Sequence, residues 1–201
     1  MVNTAGYTAA TFAMGGLAAW WPTFLYRARG VPLDRAGFLF GAVLVVAGFL
    51  GTLAGGWLGD RIHARNQGGY FLAAGWGLLL ATPAGVLAVL AEPPAIYWSA
   101  TFLALFFLFF NTGPLNAAIV NVVPPNMRAS AIAVNVLIIH MLGDALSPWL
   151  IGLVSDASSL GTGIVLDCVA IAVAGAILVA GAGVLRRDME AIGAGRSPIG
   201  R

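Results

Sequence analysis

Residues 111–156 read NTGPLNAAIVNVVPPNMRASAIAVNVLIIHMLGDALSPWLIGLVSD, and this stretch decides the fold because it threads polar residues between long apolar runs. His140 and Asp144 are four residues apart, so on a helix they share one face, and Ser147 extends that face at the next i+3 step. A helix from about Met127 to Ser155 places both near its middle, where a charged side chain costs about 2.5 to 3.5 kcal/mol on bilayer insertion scales. Residues kept there line a path or a site. Asn135 falls on roughly the opposite face from Asp144, so at most one of these faces fronts a given cavity, and the Asp144 face is the expected one.

Pro114 lies near the start of the same stretch. It removes a backbone donor and its ring collides with the Phe110 carbonyl, so a helix must kink here and free that carbonyl beside Asn111 and Gly113. Opened backbone at membrane depth is tolerated only where protein or a wet cavity satisfies it. Asn111 and Asn116 are therefore candidates to line a cavity. The competing reading is a kink that only shapes packing, with both amides serving interhelical hydrogen bonds. The block Phe106, Phe107, Phe109 and Phe110 suits an apolar substrate, and a lipid-facing stripe accounts for it equally well.

Composition sets the environment of all this: 60% of residues are hydrophobic, 9% are charged, and mean hydropathy is +0.91. The uncharged runs Ala36 to Gly59, Asn66 to Ala91 and Pro93 to Met127 each exceed the roughly 20 residues that span a bilayer. The chain is read as an all-α integral membrane protein. Its basic residues are ten Arg and no Lys, so Walker A chemistry is excluded, and with it ATP-driven transport by this chain alone. His63 and His140 sit in different segments, and no metal cluster or nucleophile constellation surrounds either, so neither an enzyme nor a cofactor or metal is expected. A scattered net charge of +2 argues against a nucleic-acid partner. The single Cys168 allows no intrachain disulfide, and the apolar opening segment lacks a basic n-region, so it reads as a first spanning helix.

Six spans are expected, at about Ala5 to Tyr26, Ala36 to Leu58, Gly69 to Leu90, Ala95 to Val122, Met127 to Ser155 and Thr162 to Leu185, before a polar tail at 186–201. Gly15 and Gly16 let a helix approach closely in mid-span or kink toward a substrate, and Gly37/Gly41 and Gly51/Gly55 form small-xxx-small pairs. Both ends are placed in the cytoplasm, because the inner segments then hold Arg61, Arg65, Arg128, Arg186, Arg187, Arg196 and Arg201 against Arg27, Arg29 and Arg35 outside. Asp167, near the start of the sixth span, is expected in a partly hydrated position close to the outer interface.

Gly56-Trp-Leu-Gly-Asp60 closes the second span, and Gly152-Leu-Val-Ser-Asp156 closes the fifth, on opposite sides of the membrane. This echo predicts two three-helix repeats inverted across the bilayer. Gly56 to Arg61 followed by Arg65 resembles the G-x-L-a-D-r-x-G-r-r loop of the major facilitator superfamily, although His63 stands where a Gly is usual and Ala64 where a basic residue is usual. On that resemblance Asp60 accepts hydrogen bonds from a neighbouring helix N-terminus while Arg61 and Arg65 hold the inner face, as a gate latch.

The run Phe12 to Pro22, and above all NTGPLNAAIVNVVPPNMRA followed by HMLGDALSP, resembles the second half of spinster-type transporters over most of the chain. The resemblance implies helices seven to twelve of a twelve-helix fold, in the cell (inner) membrane, exporting a small lipid-like amphiphile by alternating access. It places Met1 within the seventh helix, so the chain is expected to be a fragment or a half awaiting its N-terminal partner. The coupling acid of such relatives lies in the first half, so none is carried over. His140, Asp144, Asn111, Asn116 and Asn135 are then this half's candidate contacts to the cavity. A channel subunit or a non-transporting assembly scaffold is the alternative.

Overall fold

The computed structural model describes residues 1–195, and every regular element among them is helical. In chain order these are α1 (Val2–Arg29), α2 (Leu33–His63), α3 (Gly69–Leu90), α4 (Pro94–Phe109), α5 (Thr112–Val122), α6 (Arg128–Ile139), α7 (Ser147–Ala157) and α8 (Leu160–Gly195). A short 3-10 turn, Pro125–Met127, leads into α6, and a wide π-helical turn, His140–Asp144, joins α6 to α7. The elements form six rods. Five are long and apolar enough to cross a membrane by length and composition, with α4–α5 and α6–α7 each counting as one rod, and the 28-residue α1 is the sixth.

Local chemistry sets the rod ends. Gly30, at φ 66°, closes α1 in the left-handed conformation that favours glycine, and its N–H bonds the Leu25 carbonyl. Pro32 and the Pro93-Pro94 pair cannot continue the preceding helix and open the next. Ser159 accepts a hydrogen bond from the Thr162 N–H at 3.1 Å and so caps the start of α8. α8 does not stop at Leu185. It continues to Gly195, helped by the helix formers Arg186, Arg187, Met189, Glu190 and Ala191, with Arg186 3.8 Å from Glu190 one turn on. Arg196 and Arg201 lie outside the described residues.

Packing between rods is governed by glycine, since lipid tails give apolar helices no hydrophobic reason to associate. At the α3–α8 crossing, a Cβ on Gly75 would lie 2.9 Å from the Gly175 carbonyl oxygen, and a Cβ on Gly175 would lie 2.9 Å from that of Gly75. Along α2, Gly51 and Gly55 press on the carbonyl oxygens of Phe106 and Phe110, at distances that leave no room for a methyl group. The Gly37/Gly41 pair has the same spacing but a different fate. Nothing lies within 4 Å of where their Cβ atoms would be. α1 and α3 pack along α8, and Trp21, Leu25, Leu78, Ile164 and Leu178 of these helices are buried.

Burial is uneven in a way that positions the site. Half of the central window is buried in α3 and in α4–α5, against 28% in α2 and 17% in the rod from Pro125 to Ala157. These two rods carry Val45, Phe49, Leu53, Leu137, Met141 and Trp149 on open faces. Matched substitutions on α2 test the packing account. Gly55→Ala should lower stability in detergent by about 1 to 3 kcal/mol, because a backbone oxygen cannot step aside, whereas Gly37→Ala should be neutral or stabilising, as an exposed Gly-to-Ala change in a helix is. Thermal unfolding of the two variants decides between them, and equal midpoints would refute it.

Candidate functional site

A cavity of about 190 Å³ opens between α1, the α4–α5 junction and the wide turn, lined in part by Tyr7, Thr11, Met14, Asn111, Thr112 and His140. Its polar wall begins at the break before Pro114. Helix geometry lapses at Phe110 and Asn111, as the missing Pro114 donor requires, and the freed Phe110 carbonyl is the one that Gly55 covers. The Asn111 amide turns back to donate to the Leu108 carbonyl, while its own Oδ1 is buried without a partner. Asn116 Nδ2 likewise donates to the Thr112 carbonyl at 3.0 Å. Both amide nitrogens therefore donate to carbonyls of their own segment. The Tyr7 phenol meets the Thr112 and Asn116 side chains from α1.

The other wall is the wide turn. His140 Nδ1 lies 2.8 Å from Asp144 Oδ2, so the expected shared face exists. Against a carboxylate acceptor that nitrogen carries the proton, which leaves Nε2 to face outward. The pair is open, with side-chain exposures of 57% for His140 and 34% for Asp144. Ser147 is fully buried, its Oγ directed at the Asp144 carbonyl at 3.4 Å.

The straight fifth helix of the sequence reading does not exist, and the expected opposition of Asn135 and Asp144 goes with it. The extra residue of a π-turn rotates everything after it. Asn135 accepts a hydrogen bond from the Thr4 hydroxyl of α1 at 2.9 Å, and farther along a Cβ on Gly15 of the same helix would lie 2.5 Å from Asp144 Cβ. Both residues thus face α1, two levels apart. Asn135 is buried at the Thr4 level, away from the residues that line the cavity. Between them Gly143 presses on the α1 backbone, 3.0 Å from the Thr8 carbonyl oxygen by the same measure.

Asp167 also departs from expectation. Its exposure is 0%, and neither carboxyl oxygen has a hydrogen-bond partner. The reason is its neighbour: it lies against Gly16, halfway along α1, where any Cβ would overlap the carboxyl oxygens. Tyr7, Thr11 and Thr112 were not singled out from the sequence. Tyr7 and Thr11 are one turn apart, a polar stripe in an apolar helix that could have marked them.

At the other end of α2, Tyr70 in the first turn of α3 donates its hydroxyl to Asp60 Oδ1 at 3.0 Å. The Tyr70 ring stacks on His63 at 4.2 Å, and the Arg61 guanidinium sits 5.3 Å from the Trp57 ring centre. Gly56 and Gly59 admit α5: a Cβ on Gly113 would lie 2.9 Å from Gly56 Cα, and one on Gly59 2.9 Å from Pro114 Cγ. The loop motif is thereby in contact with the broken helix that walls the cavity. Its echo is built differently. Gly152 makes room for the Trp20 indole, which donates to the Pro148 carbonyl at 2.8 Å, and Asp156 is exposed.

Spinster homolog 3 of Danio rerio is 34% identical over 170 residues, covering 78% of this chain and 34% of the relative. The chain is a spinster-like segment of the major facilitator superfamily. Drosophila melanogaster spinster is 31% identical over 166 residues, covering 78% of this chain and 27% of the relative. An Arabidopsis thaliana protein called "probable sphingolipid transporter spinster homolog 3" is 31% identical over 161 residues, covering 78% and 30%. Among solved structures, a bacterial homolog of the human lysosomal transporter spinster, inward-facing and unoccupied, superposes with a TM-score of 0.73 at 20% identity over 99% of this chain and 49% of that one. A POT peptide transporter in complex with sulfate gives 0.72 at 16% identity, over 90% and 37%. No family model matches the chain. The spinster-like chain therefore spans about a third of its curated relatives and about half of the bacterial structure. The activities named among these proteins are transport.

The Asp60–Tyr70 bond can be weighed by a double-mutant cycle of Asp60→Asn and Tyr70→Phe in detergent. A coupling of about 1 kcal/mol is expected for a hydrogen bond of this kind at a half-open site, and additive effects would show that the contact does not hold the loop.

Proposed function

We propose that this chain is the C-terminal six-helix half of a secondary transporter that moves a small amphiphile by alternating access, its cavity forming half of the substrate site. The observation that carries the reading is the His140–Asp144 pair: two ionisable side chains in mid-span, open on a face whose surroundings are apolar. Such a pair is tolerated at membrane depth where it meets water, a polar ligand or a polar partner. α2 and the α6–α7 rod, the least buried of the bundle, are the surfaces that an N-terminal half would cover. Substrate contacts are assigned to His140, Asp144, Asn111 and Asn116, with Asn135 in a supporting position at Thr4. The loop from Gly56 through Asp60, Arg61 and Arg65 is assigned to the inner gate. The sphingolipid named for the Arabidopsis relative supports a lipid-like cargo.

The same reading takes the six rods as two inverted three-helix repeats. Its support is the reciprocal Gly75–Gly175 contact between the third and sixth rods and the matching exposure of the second and fifth. Both termini are assigned to the cytoplasm of a cell membrane. Of the outer arginines, Arg29 is held in place: its Nη2 donates to the Val89 carbonyl at 2.7 Å between the Phe24 and Tyr97 rings.

Co-reconstitution of the chain with its N-terminal half in liposomes, using a fluorescent sphingosine-phosphate analogue as probe, tests the proposal. Asp144→Asn and His140→Ala should each reduce flux about tenfold or more, the cost of one lost charge-assisted contact, with membrane insertion intact. Native flux from both variants would remove these residues from the site. Saturable, gradient-dependent flux supports a carrier, non-saturating conductance would replace it with a channel, and no flux from an intact complex with a scaffold.

A further inference from the structure

The transport reading uses Asp144 and leaves Asp167 unexplained. Asp167 sits on α8 with no exposure and no hydrogen-bond partner for either carboxyl oxygen. It is not there by default of space, because the opposing residue is Gly16, and even an alanine would overlap the carboxyl oxygens. A carboxylate so enclosed, with neither a cation nor a donor, is the costliest form the group can take, and the neutral acid is the form that this packing accommodates.

The surroundings offer no charge to offset. On α8 itself the adjacent titratable group is the buried Cys168 thiol, which faces Gly85 of α3. α3 carries no other titratable side chain than Tyr70, fifteen residues from Gly85, or roughly 22 Å along the helix. On α1 the titratable groups besides Arg27 and Arg29 are Tyr7 and Tyr26, and the two cations begin eleven residues beyond Gly16, roughly 16 Å away. α7 brings only Asp156, exposed in its last turn, and α5 brings no titratable side chain. Across α1, however, Gly15 touches Asp144 and Ser147, so two consecutive glycines contact two carboxyl-bearing segments.

We propose that Asp167 is a proton-binding site of the transport cycle. It is held as the neutral acid while α1 rests on α8 at Gly16, and it releases its proton to water when α1 moves off and admits solvent. The O–H bond of the acid breaks, the proton passes to a water molecule, and closure requires it back. α1 is the lever. Its movement toward or away from the Asp144 wall, where substrate binds, is the same movement that opens or closes Asp167. This role rests on the transport reading, and the two can fail separately.

Infrared difference spectra of the chain in lipid nanodiscs, native minus Asp167→Asn, should show at neutral pH a carboxylic-acid carbonyl band that shifts in D₂O. A carboxylate band in its place would overturn the proposal. In liposomes holding both halves and the fluorescent sphingosine-phosphate analogue, Asp167→Asn, which mimics the neutral acid, should keep exchange without a gradient. It should also lose about tenfold or more of the acceleration given by a pH gradient. Undiminished acceleration would overturn the coupling role while the transport reading stands. Absence of all flux from the native complex would overturn that reading and the coupling together, whatever the infrared band shows.

Discussion

The bundle depends on backbone touching backbone at glycine. Apolar helices in lipid gain little from hiding side chains that lipid already accommodates, so association rests on dispersion at close range and on weak Cα–H contacts to carbonyl oxygens. Gly75 against Gly175 fixes the α3–α8 crossing, and Gly51 and Gly55 fix α2 against the Phe106 and Phe110 carbonyls. The second of these contacts has a further consequence. Pro114 leaves the Phe110 carbonyl without its helical donor, and a glycine is the one residue that lets a neighbouring helix lie over that oxygen and exclude lipid from it. The close approach of α2 is what makes the broken helix affordable, and the broken helix supplies the polar wall.

The two irregularities in the chain serve the site by different means. At Asn111 the amide turns back to the Leu108 carbonyl, and its Oδ1 stays buried without a partner. At His140–Asp144 the irregularity is an extra residue in the turn, which carries Asp144 round to α1 while His140 remains on the open side within bonding distance. One wall of the cavity thus carries Asn111 and Thr112, and the other an imidazole bonded to the Asp144 carboxyl group. Met14, Leu108 and Ile139 make up the apolar part of the same lining.

The start of the fourth rod was legible because its cause is local: Pro93 and Pro94 act on the backbone within a residue or two. The kink at Pro114 was legible for the same reason. The wide turn was missed, although Pro148 deprives the Asp144 carbonyl of its helical donor as Pro114 does that of Phe110, and a second trace is present. Asn135, Ile139, Gly143, Ser147 and Ile151 are all buried at steps of four over sixteen residues, a period that an α-helix of 3.6 residues per turn cannot keep on one face. Asp167 and the Gly37/Gly41 pair were misplaced for a deeper reason. Spacing along one helix states what it can present and says nothing of what stands opposite, and the fate of both is decided by a partner: Gly16 in one case, open space in the other.

Gly15 and Gly16 draw these threads together. Consecutive residues on a helix point about 100° apart, so a rigid α1 presents one glycine to the wide turn and the other to α8. Each contact is close enough that a methyl group would break it. A helix wedged in this way cannot rotate or tilt toward one neighbour without loosening from the other. Dispersion falls off within an ångström, so small displacements of α1 trade the Asp144 contact against the Asp167 contact instead of weakening both evenly. Thr4 and Thr8 hold the same helix lower down, through Asn135 and Gly143. The di-glycine step therefore joins a wet carboxyl to a dry one through a single rigid element, which is the physical form that coupling between a cavity and a buried proton site takes.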